Sequence, residues 1–230
     1  VRSTGKEKSR VTCMIAVSMS GAMLKPMVIL KGKSIGRLRN FTPSESARQG
    51  IALSCSEKAW MTTPLMESWI SRCLLPYTRR QPAILLMDNF SVHRHQRVTE
   101  YLSAHNVHVV WIPPNCTAVA QPCDLRINAQ VKRSMRKLWR DRMQKLVSET
   151  EDRIPSPSRE LLLDWVIEAL KSCSSELIRS AWKTVGFEVE SSVESWDADD
   201  LAMRIGTLDL LDDDFEASEI ERESHEEDDK

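Results

Sequence analysis

The sequence predicts an α/β protein, and three patterns lead to that prediction. Two apolar runs near the start are separated by a turn signal, which is typical of an antiparallel hairpin. Two further short runs, 83–87 and 107–112, are almost continuously apolar, which is typical of strands buried on both faces. Apolar residues at helical spacing fill the segments around them. We therefore expect a mixed sheet flanked by helices.

The first elements follow from local patterns. The hairpin is predicted to join strands at 11–17 and 26–30 through a turn at Ser20–Gly21. Residues 31–40 are basic and are predicted to form a loop. Residues 41–57 are polar and are predicted to be irregular.

The middle of the chain alternates helix and strand. Residues 63–77 carry apolar side chains at helical spacing, so a helix is predicted there with Thr63 as its N-cap and a proline at its first position. A buried strand is predicted at 83–87. A helix capped by Ser91 is predicted over 91–105.

The remaining elements are mainly helical. The strand at 107–112 is predicted to stop at two prolines, and 114–122 is predicted to be a loop. A long helix is predicted over 124–147. Two helices are predicted within residues 159–187. The second is predicted to be capped by a serine at 174 or 175 and to end at Gly186.

Basic and acidic side chains are unevenly distributed along the chain. Residues 1–150 carry 24 basic and 9 acidic side chains, whereas 151–230 carry 8 basic and 24 acidic. A body this basic predicts a polyanionic partner. Residues 188–230 hold 18 acidic against 3 basic residues, which is typical of a disordered tail.

Some classes of protein are disfavoured. No apolar run is long enough to predict a transmembrane helix, and we expect no membrane partner. The six cysteines never form a Cys-x-x-Cys pair, so neither a zinc ribbon nor a redox pair is predicted.

Two aspartates stand where chemistry is expected. Asp88 ends an apolar strand, and ligands gather at the carboxyl ends of strands in α/β sheets. Asp124 opens the long predicted helix. Each also has an ordinary explanation, because aspartate is favoured near helix starts and in turns.

The combination of motifs is more specific. The stretches ILLMDNFSVH, VVWIPPNCTAVAQPCD and VKRSMRK resemble the DDE transposase domain of the pogo and Tigger group, which includes jerky and the centromere protein B lineage. The resemblance covers roughly residues 1–187. The matching positions are Asp88, Asn89, His93, Pro113, Pro114, Asn115, Thr117, Gln121, Pro122, Asp124 and Lys132.

The resemblance implies an RNase H-like mixed sheet and two-metal phosphodiester chemistry. Asp88 and Asp124 would be catalytic and would bind Mg²⁺ or Mn²⁺. The side chains expected beside the site are those of Asn89, His93, Asn115 and Gln121. His93 is expected mainly to make a structural hydrogen bond. A zinc pair with His95 is disfavoured, because residues two apart on a helix do not share a face.

The implied partner is DNA, and the implied location is the nucleus. Basic side chains would bind phosphates without reading bases. We also expect self-association through the core, and contact of the acidic tail with the basic core or with basic proteins. The predicted DNA-binding residues are Lys31, Lys33, Arg37, Arg39, Lys132, Arg133, Arg136, Lys137 and Arg140.

The chain also departs from the family pattern. The family takes its first catalytic aspartate from a first strand that precedes the region where this sequence begins. We therefore expect an N-terminally truncated core over 1–150, a helical segment of the core over 151–187 and a disordered tail over 188–230. The first strand would lie between the hairpin and the strand ending at Asp88. We expect the chain by itself to be inactive; the alternatives are a domesticated, non-catalytic nucleic-acid-binding protein and a protein-interaction module.

Overall fold

The structure is a computed structural model that describes residues 11–33, 44, 49–149 and 156–187. Its elements alternate strands and helices, as the sequence predicts. The predicted acidic tail lies outside the described residues. The elements in chain order are β1 (Val11–Met14), β2 (Met27–Lys31), β3 (Ala52–Ser56), α1 (Thr63–Trp69), a π-helical segment (Ile70–Leu74), α2 (Leu75–Thr78), β4 (Ala83–Met87), α3 (Gln96–Ser103), β5 (Val107–Trp111), α4 (Thr117–Ala120), a π-helical turn (Cys123–Ile127), α5 (Asn128–Glu149), α6 (Arg159–Lys171) and α7 (Ser175–Thr184).

The predicted hairpin is confirmed. β1 and β2 are antiparallel, with Val11 opposite Leu30 and Met14 opposite Met27. The turn closes where Gly21 donates its backbone N–H to the Ser18 carbonyl at 3.0 Å. Gly21 has φ +91°, a conformation that glycine adopts at little steric cost.

The prediction that 41–57 is irregular is wrong at its end. Residues 52–56 form β3, which pairs parallel to β2 with Ala52 opposite Met27 and Ser56 opposite Lys31. Ser54 is buried in this strand. The two serines made the segment look polar, but the neighbouring strand satisfies its backbone groups, so small polar residues are tolerated there.

Both predicted buried strands are confirmed. β4 and β5 are parallel, and Met87 lies opposite Trp111. The ladder continues past β5, because the Ile112 backbone N–H donates to the Met87 carbonyl at 2.8 Å. Leu85 and Met87 pack in one apolar cluster and Leu86 in another, so both faces of β4 are covered.

The two sheets share a core. Ile29 of β2, Trp69 of α1 and Met87 of β4 belong to one buried cluster. Within the described part of the chain, β1 is hydrogen-bonded only to β2, and β4 only to β5. Each sheet therefore has an edge strand, and the structure shows two sheets around one core rather than one continuous sheet.

The starts of two helices differ from the predictions. Thr62, not Thr63, precedes α1, and its side chain makes no capping hydrogen bond. α3 begins at Gln96, and His95 rather than Ser91 caps it by accepting from the Arg97 backbone N–H at 3.3 Å. Residues 91–94 form a turn instead. Sequence periodicity could not show that this turn is held by contacts to Asp88.

The last helices complete the core. Ser158 and Ser174 cap α6 and α7 by accepting backbone N–H groups, and Gly186 ends α7 at φ +88°. Leu163 of α6 packs with apolar residues of β2, and Ile178 of α7 packs with Ile127. Residues 114–122 are not all loop, since they contain α4.

Candidate active site and nucleic-acid interface

Asp88 directly follows the carboxyl end of β4. Its Oδ1 lies 2.7 Å from His93 Nδ1 and accepts from the Phe90 backbone N–H at 3.2 Å. The His93 hydrogen bond lowers the pKa of Asp88, partial burial opposes this, and the Phe90 N–H and the nearby histidine lower the pKa further. The net pKa lies below the ordinary aspartate value, so the carboxylate stays ionised.

The turn after Asp88 is fixed by polar contacts to β5. Asn89 donates from Nδ2 to the Ile112 carbonyl at 2.6 Å. Arg94 donates to Asn89 Oδ1 at 3.0 Å, and its guanidinium carbon lies 5.3 Å from the centre of the Trp111 ring. Asn89 and His93 are thus placed beside Asp88 by hydrogen bonds that orient the loop.

Asp124 lies in the π-helical turn that begins the long helix. Its Oδ1 accepts from Asn128 Nδ2 at 2.6 Å. Its backbone N–H donates to the Gln121 carbonyl at 3.0 Å, which fixes the start of the turn. The Asp124 side chain itself is exposed.

The loop that follows β4 and the π-helical turn that contains Asp124 lie in the same region of the fold. Leu86, two residues before Asp88, and Leu125, next to Asp124, pack around the same buried cluster, which includes Ile112. The cluster includes Val110 of β5 and Ile112, which directly follows that strand, so it lies at the carboxyl ends of β4 and β5. The fold therefore brings the loop after β4 and the start of the long helix to one end of the sheet.

The connecting loop carries a conformationally unusual residue. Asn115 has φ +68°, a left-handed conformation that asparagine tolerates better than most residues. The Cys116 backbone N–H donates to the Pro113 carbonyl at 3.2 Å, which closes the turn around Asn115. The side-chain carbonyl oxygen of Gln121 is enclosed and has no hydrogen-bond partner among the described residues.

The Asp88 and Asp124 carboxylates are candidate ligands for a hard divalent cation. The Asp88 and Asp124 carboxylates each engage only Oδ1 in the hydrogen bonds found in the described chain, which leaves Oδ2 available. Carboxylate oxygens are ligands that Mg²⁺ prefers. No cluster of three or more histidine, cysteine, aspartate or glutamate side chains that could hold a metal occurs in the described ranges. The chemistry of the two donors fits Mg²⁺.

A cationic groove of about 700 Å³ runs along α5 from Asp124. Its positions recur every three to four residues, so they share one face of the helix. Val131 and Met135, which lie beside the groove on the same helix, pack against the cluster formed with α6. The groove is lined by Asp124, Asn128, Ala129, Lys132, Arg133, Arg136, Trp139 and Arg140.

The other predicted DNA-binding residues are not brought into this groove. Lys137 is exposed on α5 but does not line it. Lys31 ends β2, and Lys33 Nζ lies 4.0 Å from Glu57 Oε1. Arg37 and Arg39 lie outside the described residues.

Comparison with known proteins identifies the family of this chain. Residues 8–182 match the family model of the DDE superfamily endonucleases. The chain belongs to this family. Its curated relatives include the mouse protein "Pogo transposable element with KRAB domain", which is 27% identical over 183 residues, covering 77% of this chain and 29% of the relative. The human protein of that name is 26% identical, covering 86% of this chain and 32% of the relative.

A more distant relative comes from fission yeast. The Schizosaccharomyces pombe protein "ARS-binding protein 1" is 24% identical over 206 residues, covering 84% of this chain and 38% of the relative. The chain thus spans about a third of the length of these relatives. No solved structure matches the chain. None of the described helices combines the length and apolar character that a membrane span requires.

Sequence reasoning missed three residues of this region. Asn128 could have been found, because it lies four positions after Asp124 and shares its helix face. Trp139 could have been found because it lies three positions after Arg136, which also places the two on one helix face. Arg94 gave no signal, since its contacts to Asn89 and Trp111 join separate segments of the chain.

Proposed function

We propose that this chain is a DNA-binding, transposase-derived domain built around a DDE-type metal site. The observation that carries the proposal is the Asp88 carboxylate, which His93 orients at the carboxyl end of β4 while one of its oxygens remains available. The cationic groove that begins at Asp124 supports DNA as the polyanion bound there.

In this proposal, Asp88 and Asp124 would hold Mg²⁺ or Mn²⁺. The metal would neutralise charge that develops on a phosphodiester during attack by water or a hydroxyl group. His93 orients the Asp88 carboxylate and lowers the pKa of its carboxyl group. Asn128 orients the Asp124 carboxylate, and Asn89 holds the loop after β4 against the end of β5. Asn115 and Gln121 position the connecting loop.

We further propose that the two sheets are parts of one RNase H-like sheet whose central strand would lie between β1 and β4. The shared core between the sheets and the edge position of both strands support this arrangement. Such a strand would supply backbone partners to both edges. It would also be the element that brings the third carboxylate of a complete family site.

Residues 1–230 by themselves are therefore proposed to bind DNA without cutting it. The described residues supply two carboxylates of the family motif, Asp88 and Asp124, and the third of a complete family site would come from the proposed central strand. We propose 1–150 as the transposase core and 151–187 as its helical completion, because α6 and α7 pack on β2 and on the turn that contains Asp124. Residues 188–230 are proposed to be an acidic tail that competes with DNA for the basic core.

The relatives' names support a transposase-derived domain, and we propose DNA as its partner and the nucleus as its location. Two relatives are named as pogo transposable elements, and one as an ARS-binding protein. Self-association through the core is part of the same proposal.

Metal binding is tested by thermal unfolding with and without millimolar Mg²⁺ or Mn²⁺. A ligand that binds only the folded state raises the melting temperature. We expect this rise in the wild type and in the control Asp141→Asn, which removes an exposed carboxylate elsewhere on α5. It should be lost in Asp88→Asn and Asp124→Asn. Equal shifts in all four proteins would contradict the assignment of the two aspartates.

Cleavage is tested separately with supercoiled plasmid and the same ions. We expect the chain to bind the plasmid and to leave it unnicked. Metal-dependent nicking that disappears in Asp88→Asn would show that the chain is an active nuclease and would overturn the non-cutting part of the proposal.

A further inference from the structure

The groove along α5 contains an aromatic ring that phosphate binding does not use. Trp139 is 40% exposed and is one of the residues that line the groove. Its ring meets that of Trp165 edge-on, with the ring centres 6.3 Å apart at an angle of 86°. Trp165 is 8% exposed and belongs to α6. The buried indole therefore holds the orientation of the open one.

Cations surround this ring on the same helix face. Lys132, Arg133, Arg136 and Arg140 line the groove with Trp139. From Lys132 to Arg140 the helix rises about 12 Å, which matches about three to four nucleotides along one DNA strand. A chain of phosphates on these cations would carry its bases past the indole.

A stacked duplex does not offer the face of an internal base to a protein side chain. Only an unpaired base, at a strand end or in a single-stranded extension, has an open face on which an indole can stack. Aromatic side chains combined with a cationic groove are the usual components of single-stranded DNA sites, and they tolerate any sequence because every base has a π-face.

We propose that Trp139 stacks on an unpaired base of a DNA strand whose phosphates lie along Lys132, Arg136 and Arg140. This inference rests on the proposed function and adds to it the form of the substrate, which is DNA with a single-stranded extension rather than blunt duplex. The cations supply most of the affinity, and the indole supplies the preference for unpaired bases.

The test compares the full chain on two DNA probes, a blunt duplex and the same duplex with a short single-stranded extension. One base of the extension is 2-aminopurine, whose fluorescence falls on stacking. The wild type should bind the extended probe about tenfold more tightly, which is the size expected for one stacked base, and should quench the probe. Trp139→Leu should bind both probes equally and leave the fluorescence unchanged.

Two further variants serve as controls for the role of the Trp139 ring. Trp139→Phe retains a ring and should keep most of the preference, which a purely structural role for Trp139 would not predict. Trp60→Leu removes an indole that is 54% exposed after β3, far along the chain from α5, and should behave as the wild type. Thermal unfolding of each variant shows whether it is folded.

The outcomes separate the two proposals. Equal binding of both probes by the wild type, or an unchanged preference in folded Trp139→Leu, would overturn base stacking and leave DNA binding intact. Failure of the wild type to bind either probe would overturn the proposed function and this inference together.

Discussion

The four cations of the α5 groove give a quantitative expectation for salt. Replacing Arg136 and Arg140 together by glutamine removes two of the four positive charges that line it and retains side chains of similar length. Both residues are exposed, and other residues of the helix, Val131 and Met135, make its packing contacts with the apolar cluster. The double variant should therefore fold normally and lose only electrostatic contacts.

The magnitude follows from counterion release. If each cation neutralises one phosphate, the groove contributes a slope of about −3.6 to the logarithm of affinity against the logarithm of salt, and about −1.8 in the double variant. Between about 50 and about 200 mM salt, the groove's share of the affinity falls about 150-fold in the wild type and about 12-fold in the variant. Contacts elsewhere add equally to both slopes.

The assay is fluorescence anisotropy of a labelled blunt duplex, titrated with the full chain at several salt concentrations. The control is Arg79→Gln with Arg80→Gln, which removes the same charge from the turn after α2. That turn precedes the amino end of β4, whereas Asp88 follows its carboxyl end. The control should keep the wild-type slope.

Two results would refute the electrostatic reasoning. The first is a slope in Arg136→Gln/Arg140→Gln that equals that of the wild type, which would place the phosphates elsewhere. The second is an equal decrease in the control, which would show that only net charge matters and that the groove has no special role.

Further predictions concern the loop after β4 and the hairpin turn. His93→Ala should raise the pKa of Asp88, measured by a carbon NMR titration of its carboxyl group, because the largest cause of the lowered value is removed; an unmoved titration would exclude that cause. The stabilisation from the lowered pKa is present above the unfolded value of about 3.9 and is lost as the pH falls through the folded value. His93→Ala should therefore lower the free energy of unfolding at neutral pH by about 1 kcal/mol, and by less in acid, in urea denaturation. Gly21→Ala should destabilise the protein more than Gly186→Ala: both glycines have φ near +90°, but only at Gly21 does an added Cβ meet backbone, 2.8 Å from the Ser175 carbonyl oxygen. Equal melting temperatures for the two alanine variants would show that the hairpin turn moves away from α7 without loss.

Secondary structure could be predicted wherever the residues of a single segment form a recognisable pattern. The apolar runs that became β4 and β5 are continuous enough to indicate burial on both faces, and the serines that cap α6 and α7 lie directly before their helices. β3 was missed because its pairing with β2 is a contact between distant segments. A parallel ladder satisfies backbone groups whatever the side chains, so its residues need not look like a strand.

The candidate site divides in the same way. Asp88 and Asp124 stand out because they border regular elements in a recognisable motif. The sequence predicts that α3 starts at Ser91, but in the structure it starts at Gln96. The reason is that His93 bonds back to Asp88, which holds residues 91–94 in a turn instead of a helix. Arg94 reaches Asn89 and Trp111 only through that turn.

By itself, the sequence determined the alternation of strands and helices, the two aspartates, the family resemblance and the basic character of the long helix, because each depends on residues that are close in sequence. Only the tertiary structure decided which cations share a groove, which oxygen of Asp88 is engaged, and that Trp139 is held open by Trp165. Lys132 and Lys137 are equally basic in the sequence, yet only Lys132 lines the groove. The physical reason is that charge and apolar pattern are properties of single residues, whereas orientation and access depend on the neighbours that packing brings from elsewhere in the chain.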